Sequence, residues 1–180
     1  MDQLANRFIQ DEPRRRIGEV LDVDVAVTRG WWVQPLGMLA AGQVLGRFFG
    51  NAKRRTRSGL CFTAGMAAAG AVHAVGHIVT ARMVEAPMDT LLLTPIRTFT
   101  LYDDTGETIS ADQHRGRAIG GPVANITAGI GALLLSIVVK HRYLRFFGIA
   151  STFIGVGALV PVAGNDGEEL FGRSERDSGS

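Results

Sequence analysis

Two histidines four residues apart, His73 and His77, stand in the stretch AVHAVGH, in the middle of an otherwise apolar run. On a helix, positions i and i+4 differ by about 40° around the axis, so both imidazoles can reach one metal ion. Ionisable side chains inside an apolar span are costly to bury and are functional candidates by default. A zinc ion held by such a pair wants a third protein ligand and one open position. The acidic side chain best placed by apolar surroundings is Asp166, in LVPVAGNDGEELF. Asn-Asp-Gly is also a common turn, so Asp166 by itself reads equally as a ligand or as a helix-ending residue. The single cysteine, Cys61, excludes an intrachain disulfide and a cysteine-only metal site.

The elements that must carry these residues look membrane-embedded. Hydrophobic residues make up 46% of the 180 and charged residues 20%, two figures that fit together only if the charges are segregated. Windows at about 30–50, 59–84, 116–139 and 143–164 hold few ionisable groups. Each is long enough as a helix to cross a hydrocarbon core of roughly 30 Å. The expected fold is an all-α, multi-pass integral membrane protein with about four transmembrane helices. A soluble protein with buried core helices is the alternative, but such helices seldom run past about eighteen residues without a charged face. The first span opens on Trp31 and Trp32, as interface anchors do, and with Gln34, Pro35 and Gln43 it is the least apolar of the four.

Residues 1–29 read as a polar, surface-lying lead-in, since Asp2, Asp11, Glu12 and Arg14 to Arg16 leave no apolar segment of the signal-peptide kind. The membrane domain then covers 30–170, and 171–180 reads as a disordered tail. Between the second and third spans, at about 88–110, the pattern changes. Thr98, Thr100 and Tyr102 alternate with Phe99 and Leu101 ahead of the turn-like Asp103-Asp104-Thr105-Gly106, which predicts a small surface β-hairpin. Small residues recur every four positions as Gly65, Ala69, His73, His77 and Ala81, and again as Gly120, Ala124, Ala128 and Ala132. Such stripes let membrane helices approach closely, so the histidines face protein rather than lipid.

Three motifs, in order, resemble the site-2 protease family of intramembrane zinc metalloproteases. HAVGHIVTARMV resembles the family's His-Glu-x-Gly-His segment, with Gly76, His77 and Ala81 in place. GGPVANI resembles its Gly-Pro-x-x-Asn segment, with Gly121, Pro122 and Asn125, and LVPVAGNDG its Asp-Gly segment, with Pro161, Asp166 and Gly167. The resemblance covers roughly residues 59–170. It implies that His73, His77 and Asp166 hold Zn2+, and that Asn125 helps to position or stabilise the reacting peptide carbonyl. Without it, Asn125 reads as an interhelical hydrogen bond. The hairpin would present an unfolded transmembrane substrate, whose strand can add to an exposed sheet edge.

The pattern departs from the family at one position. Ala74 stands where the family has its catalytic glutamate. A peptidase needs a group there that takes a proton from the attacking water and hands it to the leaving amine, worth on the order of 10²–10⁴ in rate. Glu85 lies about 17 Å away by helical rise and cannot substitute. Glu168 and Glu169 could approach only if their loop folds back. The expectation is therefore a site-2-protease-like metalloendopeptidase that is impaired or inactive as it stands. The alternative is a non-enzymatic membrane protein that binds or holds transmembrane partners, or uses its histidines in transport or packing. Expected partners are a transmembrane protein segment and the lipid bilayer, not nucleic acid. The basic connectors, Lys53, Arg54, Arg55 and Arg57 and then Lys140, Arg142 and Arg145, would both be cytoplasmic by charge bias, while the resemblance implies the opposite orientation.

Overall fold

The computed structural model describes residues 13–46, 52–102, 109–162 and 164–171. Its elements are β1 (Arg15–Val20), β2 (Val23–Val27), α1 (Val33–Gly46), α2 (Ala52–Met83), β3 (Thr90–Leu93), β4 (Thr98–Leu101), α3 (Ala111–Val139), α4 (Arg142–Ala158) and the short α5 (Asp166–Phe171). The fold is mostly helical, but it carries a four-stranded mixed sheet in the order β1-β2-β3-β4. The sheet corrects the all-α expectation in two ways. Half of it comes from the N-terminal lead-in: β1 and β2 form an antiparallel hairpin, and β2 runs parallel to β3, with Val25 opposite Leu91. The turn of the β3–β4 hairpin also falls earlier than expected. Leu93 pairs with Thr98, so Thr94 to Arg97 make the turn. The buried Thr94 hydroxyl closes it, donating to the Arg97 carbonyl at 2.7 Å. Pro95, with its fixed φ, follows at the second turn position. The expected turn at Asp103–Gly106 lies outside the described residues, as does the tail from residue 172.

Two helices are long and apolar enough to cross a membrane: Thr56–Met83 of α2 and Ala111–Val139 of α3. Only 22% and 28% of their apolar windows are buried inside the molecule, and many of the remaining residues are partly or fully exposed. Exposed apolar side chains in such number are uncommon on a water-soluble monomer. The α1 helix is a shorter apolar helix, and α4 has 17 residues. The fourth expected span is cut short, because the chain leaves the helix after Ala158 and turns through Val160 to Asn165. Pro161 lacks the N–H that would carry the helix on.

Helix starts and crossings follow from local chemistry. Ser110 caps α3 with a capping box, its Oγ accepting from the Gln113 N–H at 3.2 Å while Gln113 Oε1 accepts from the Ser110 N–H at 2.9 Å. At the α2–α3 crossing the backbones meet at Gly76 and Gly120, where a Cβ on either would come within 2.4 Å of the other's carbonyl oxygen. The striped residues Ala69, His77, Ala81, Gly120 and Ala132 are buried, as small-residue packing requires. The sheet packs on the C-terminal end of α2, where Val23, Ile78, Ala81 and Met88 form one cluster with Leu91 and Tyr102 against it. At the other end of α2, Arg142 Nη1 donates to Ser58 Oγ at 2.8 Å, which brings the start of α4 to the start of α2. Both basic connectors thus sit at the end away from the sheet.

Candidate metal centre

His73 and His77 lie in the C-terminal half of α2, and Asp166 is the first residue of α5. Eighty-eight residues of chain lie between His77 and Asp166, and the fold brings the two groups together. One ligand atom from each of the three lies within 4.8 Å of the others. His73 Nε2 is 3.1 Å from His77 Nε2. Asp166 directs Oδ2 to His73 Nε2 at 3.2 Å and Oδ1 to His77 Nε2 at 3.4 Å. Donors bound tetrahedrally at about 2.1 Å stand roughly 3.4 Å apart, so these spacings match the edges of such a site.

The backbone of α3 leaves room for an ion beside these donors. A Cβ on Gly121 would lie 2.4 Å from His77 Nε2 and 2.7 Å from His73 Nε2, which is close to where a metal would sit. Glycine at 121 keeps that space clear. Two imidazole nitrogens and a carboxylate, with the space that Gly121 leaves beside them, make a donor set that zinc accepts.

Each imidazole is held from behind through its other nitrogen. His77 is buried, and its Nδ1 donates to the Arg117 carbonyl at 2.8 Å, which leaves the Nε2 lone pair facing the centre. The Arg117 side chain, itself buried, fixes this turn of α3: Nε donates to the Ala86 carbonyl at 2.7 Å, and the guanidinium stacks 4.0 Å over the Tyr102 ring. His73 Nδ1 faces the Asn125 amide at 3.2 Å. Asn125 is fully buried, and Ser151 Oγ on α4 donates toward both its Oδ1 and its main-chain carbonyl, each at 3.0 Å. An Nδ1–H on His73 calls for Asn125 Oδ1 as acceptor. Turning that amide end for end supplies it, and Ser151 keeps the main-chain carbonyl as its acceptor throughout.

Asp166 is delivered by a tied loop. Gly164 has φ +82°, the left-handed region that glycine adopts without strain. Its N–H donates to Glu168 Oε2 at 2.7 Å. Asn165 Nδ2 donates to the Gly157 carbonyl at 3.2 Å, satisfying an end carbonyl of α4. Glu168 is therefore engaged with the loop backbone.

Of the residues singled out from sequence, His73, His77, Asn125 and Asp166 come together. Ala74 is half-buried beside His73 and brings only a methyl group. Glu85 sits exposed, with φ +55°, in the turn that ends α2. Among the described residues, the metal-ligand cluster of histidine, cysteine and carboxylate side chains consists of His73, His77 and Asp166. Sequence reasoning missed Arg117 and Ser151. A lone arginine at the head of an apolar span was the available signal for the first; a serine inside a small-residue helix gave none.

No family model matches the sequence, and no curated protein matches it. Among solved structures, the site-2 protease from Methanocaldococcus jannaschii matches with a TM-score of 0.66 at 15% identity, over 93% of this chain and 73% of that one. The chain has the site-2 protease fold.

Proposed function

We propose that this chain is a multi-pass, zinc-binding membrane protein of the site-2 protease type that engages transmembrane segments and, with Ala74 in the place of the acid/base, turns them over poorly or not at all. One observation carries the reading: His73, His77 and Asp166, from two distant parts of the chain, present their donor atoms within 4.8 Å of one another. A fold likeness and a resemblance in three ordered motifs support it from independent sides. In this reading α1 and α4 join α2 and α3 in the bilayer.

Zinc, when bound, supplies Lewis-acid polarisation of a peptide carbonyl. The chain's own residues do the rest. Arg117 and Asn125 fix the two imidazoles, and Asn125 by resemblance also helps to position the peptide carbonyl. Asp166 completes the donor set, and β4 offers an edge to which an extended substrate can add. Ala74 has no atom that can take up or deliver a proton.

The test is metal content. Protein purified in detergent should carry about one zinc per chain, which is the stoichiometry that one three-ligand site holds. His73→Ala and Asp166→Ala should each abolish it. Gly121→Ala should do the same without touching a ligand, because its methyl would fill the space beside both Nε2 atoms. A folded sample that takes up no zinc would sink the reading.

A further inference from the structure

The surface sheet reaches the metal loop through Arg97. This residue ends the four-residue turn of the β3–β4 hairpin, and its backbone is fixed there on both sides. Thr94 N–H and Thr94 Oγ1 both donate to the Arg97 carbonyl, at 3.2 and 2.7 Å, and the Arg97 N–H donates to Thr94 Oγ1 at 3.3 Å. The side chain is aimed as well. Its guanidinium lies 4.3 Å from the centroid of the Phe99 ring on β4, and Nη1 donates to the Gly164 carbonyl at 2.5 Å. At Gly164 a Cβ would stand 2.9 Å from Nη2 and 3.0 Å from Nη1, so the guanidinium packs directly on the open face of that glycine.

Gly164 precedes Asp166 by two residues. The loop therefore has two kinds of anchor. Asn165 and Glu168 tie it to its own neighbourhood, at the end of α4 and the start of α5. Arg97 ties it to the sheet, 67 residues away in sequence. A donor bearing full charge makes the stronger sort of hydrogen bond to a carbonyl. Both carboxylate oxygens of Asp166 face histidine nitrogens, so a small shift of this loop takes away one of three ligands.

We propose that Arg97 is a positioning residue for Asp166, and that through it the β3–β4 hairpin and the metal centre are coupled. This rests on the zinc reading above. A hairpin in its docked position holds the third ligand in place, and by thermodynamic reciprocity an occupied centre holds the hairpin. An extended segment added at the β4 edge then acts on the same equilibrium, so the strand that would present a substrate also tunes the completeness of the site.

The experiment measures zinc affinity by chelator competition in detergent for the full chain, Arg97→Ala, Arg97→Lys and Gly164→Ala, together with backbone hydrogen exchange across residues 90–101 with and without zinc. Arg97→Ala should bind zinc about 10–100-fold more weakly, the range for partners that orient a ligand. Arg97→Lys should recover part of the loss. Gly164→Ala should reproduce it with the arginine still present, because the added methyl displaces the guanidinium. Zinc should slow exchange in the hairpin of the parent chain and not in Arg97→Ala, a difference that general destabilisation would not produce. Equal zinc affinities and equal zinc-dependent protection in parent and Arg97→Ala would overturn the coupling while leaving the zinc site standing. A parent chain that binds no zinc would take both readings down.

Discussion

At the scale of single residues, the proposed chemistry turns on Ala74. It adjoins His73 on α2, is half-buried, and carries no group that can take up or deliver a proton. Ala74→Glu should raise cleavage of an unstable transmembrane substrate by on the order of 10²–10⁴, the usual worth of a placed general acid/base. The comparison is between the purified, zinc-loaded variant and the parent chain. A folded, zinc-loaded variant that stays inert on a broad substrate panel would favour the holding role over the protease one. The candidate ligands stood out in sequence because an ionisable group in apolar surroundings needs a reason to be there. Their supports did not. Arg117 acts on His77 through a main-chain carbonyl, and any residue offers one. Ser151 acts through Asn125 on a neighbouring helix, a relation that exists only once α3 and α4 are packed.

At the scale of elements, the helices were legible and the sheet only half so. Apolar windows longer than any charged-faced helix announce α2 and α3 directly. The N-terminal hairpin hid for three reasons. Its partner β3 lies some 65 residues downstream, across α1 and α2, and all six residues of β1 are exposed. Its two-residue turn is Leu21-Asp22, with φ of 50° and 53°, instead of the Asn-Gly or Asp-Gly that marks such turns in sequence. A leucine in the left-handed region costs roughly 1 kcal/mol or more, and here the end of α2 helps to hold it. Arg82 donates to the Leu21 carbonyl and to Asp22 Oδ2, the latter at 3.0 Å. Replacing the pair by Asn-Gly, as Leu21→Asn with Asp22→Gly, should relieve the strain and slow amide exchange in β1 and β2. Faster exchange in the double variant would mean that the Arg82 contacts outweigh the backbone strain.

At the scale of the whole molecule, the question is which solvent surrounds the helices. The long apolar helices bury fewer than a third of their window residues, and Ile130, Leu134 and Ile137 stand 48%, 61% and 70% exposed along α3. In water such a face would be a liability, and a charge placed on it would be neutral or helpful. In a bilayer the sign reverses, because aspartate near the centre of a transmembrane helix costs about 3 kcal/mol relative to an aliphatic residue. Ile130 lies well inside α3, some nine residues from its end. Ile130→Asp should therefore shift the chain from the membrane fraction toward failed insertion and degradation, while the same substitution at the exposed Ile17 of β1 leaves insertion unchanged. Fractionation of membranes from cells expressing the two variants gives the readout. An Ile130→Asp chain that inserts as well as its parent, or becomes soluble and folded, would place α3 outside the bilayer. The metal centre would then sit in a water-facing groove of a soluble fold, and capture of transmembrane segments would fall with it.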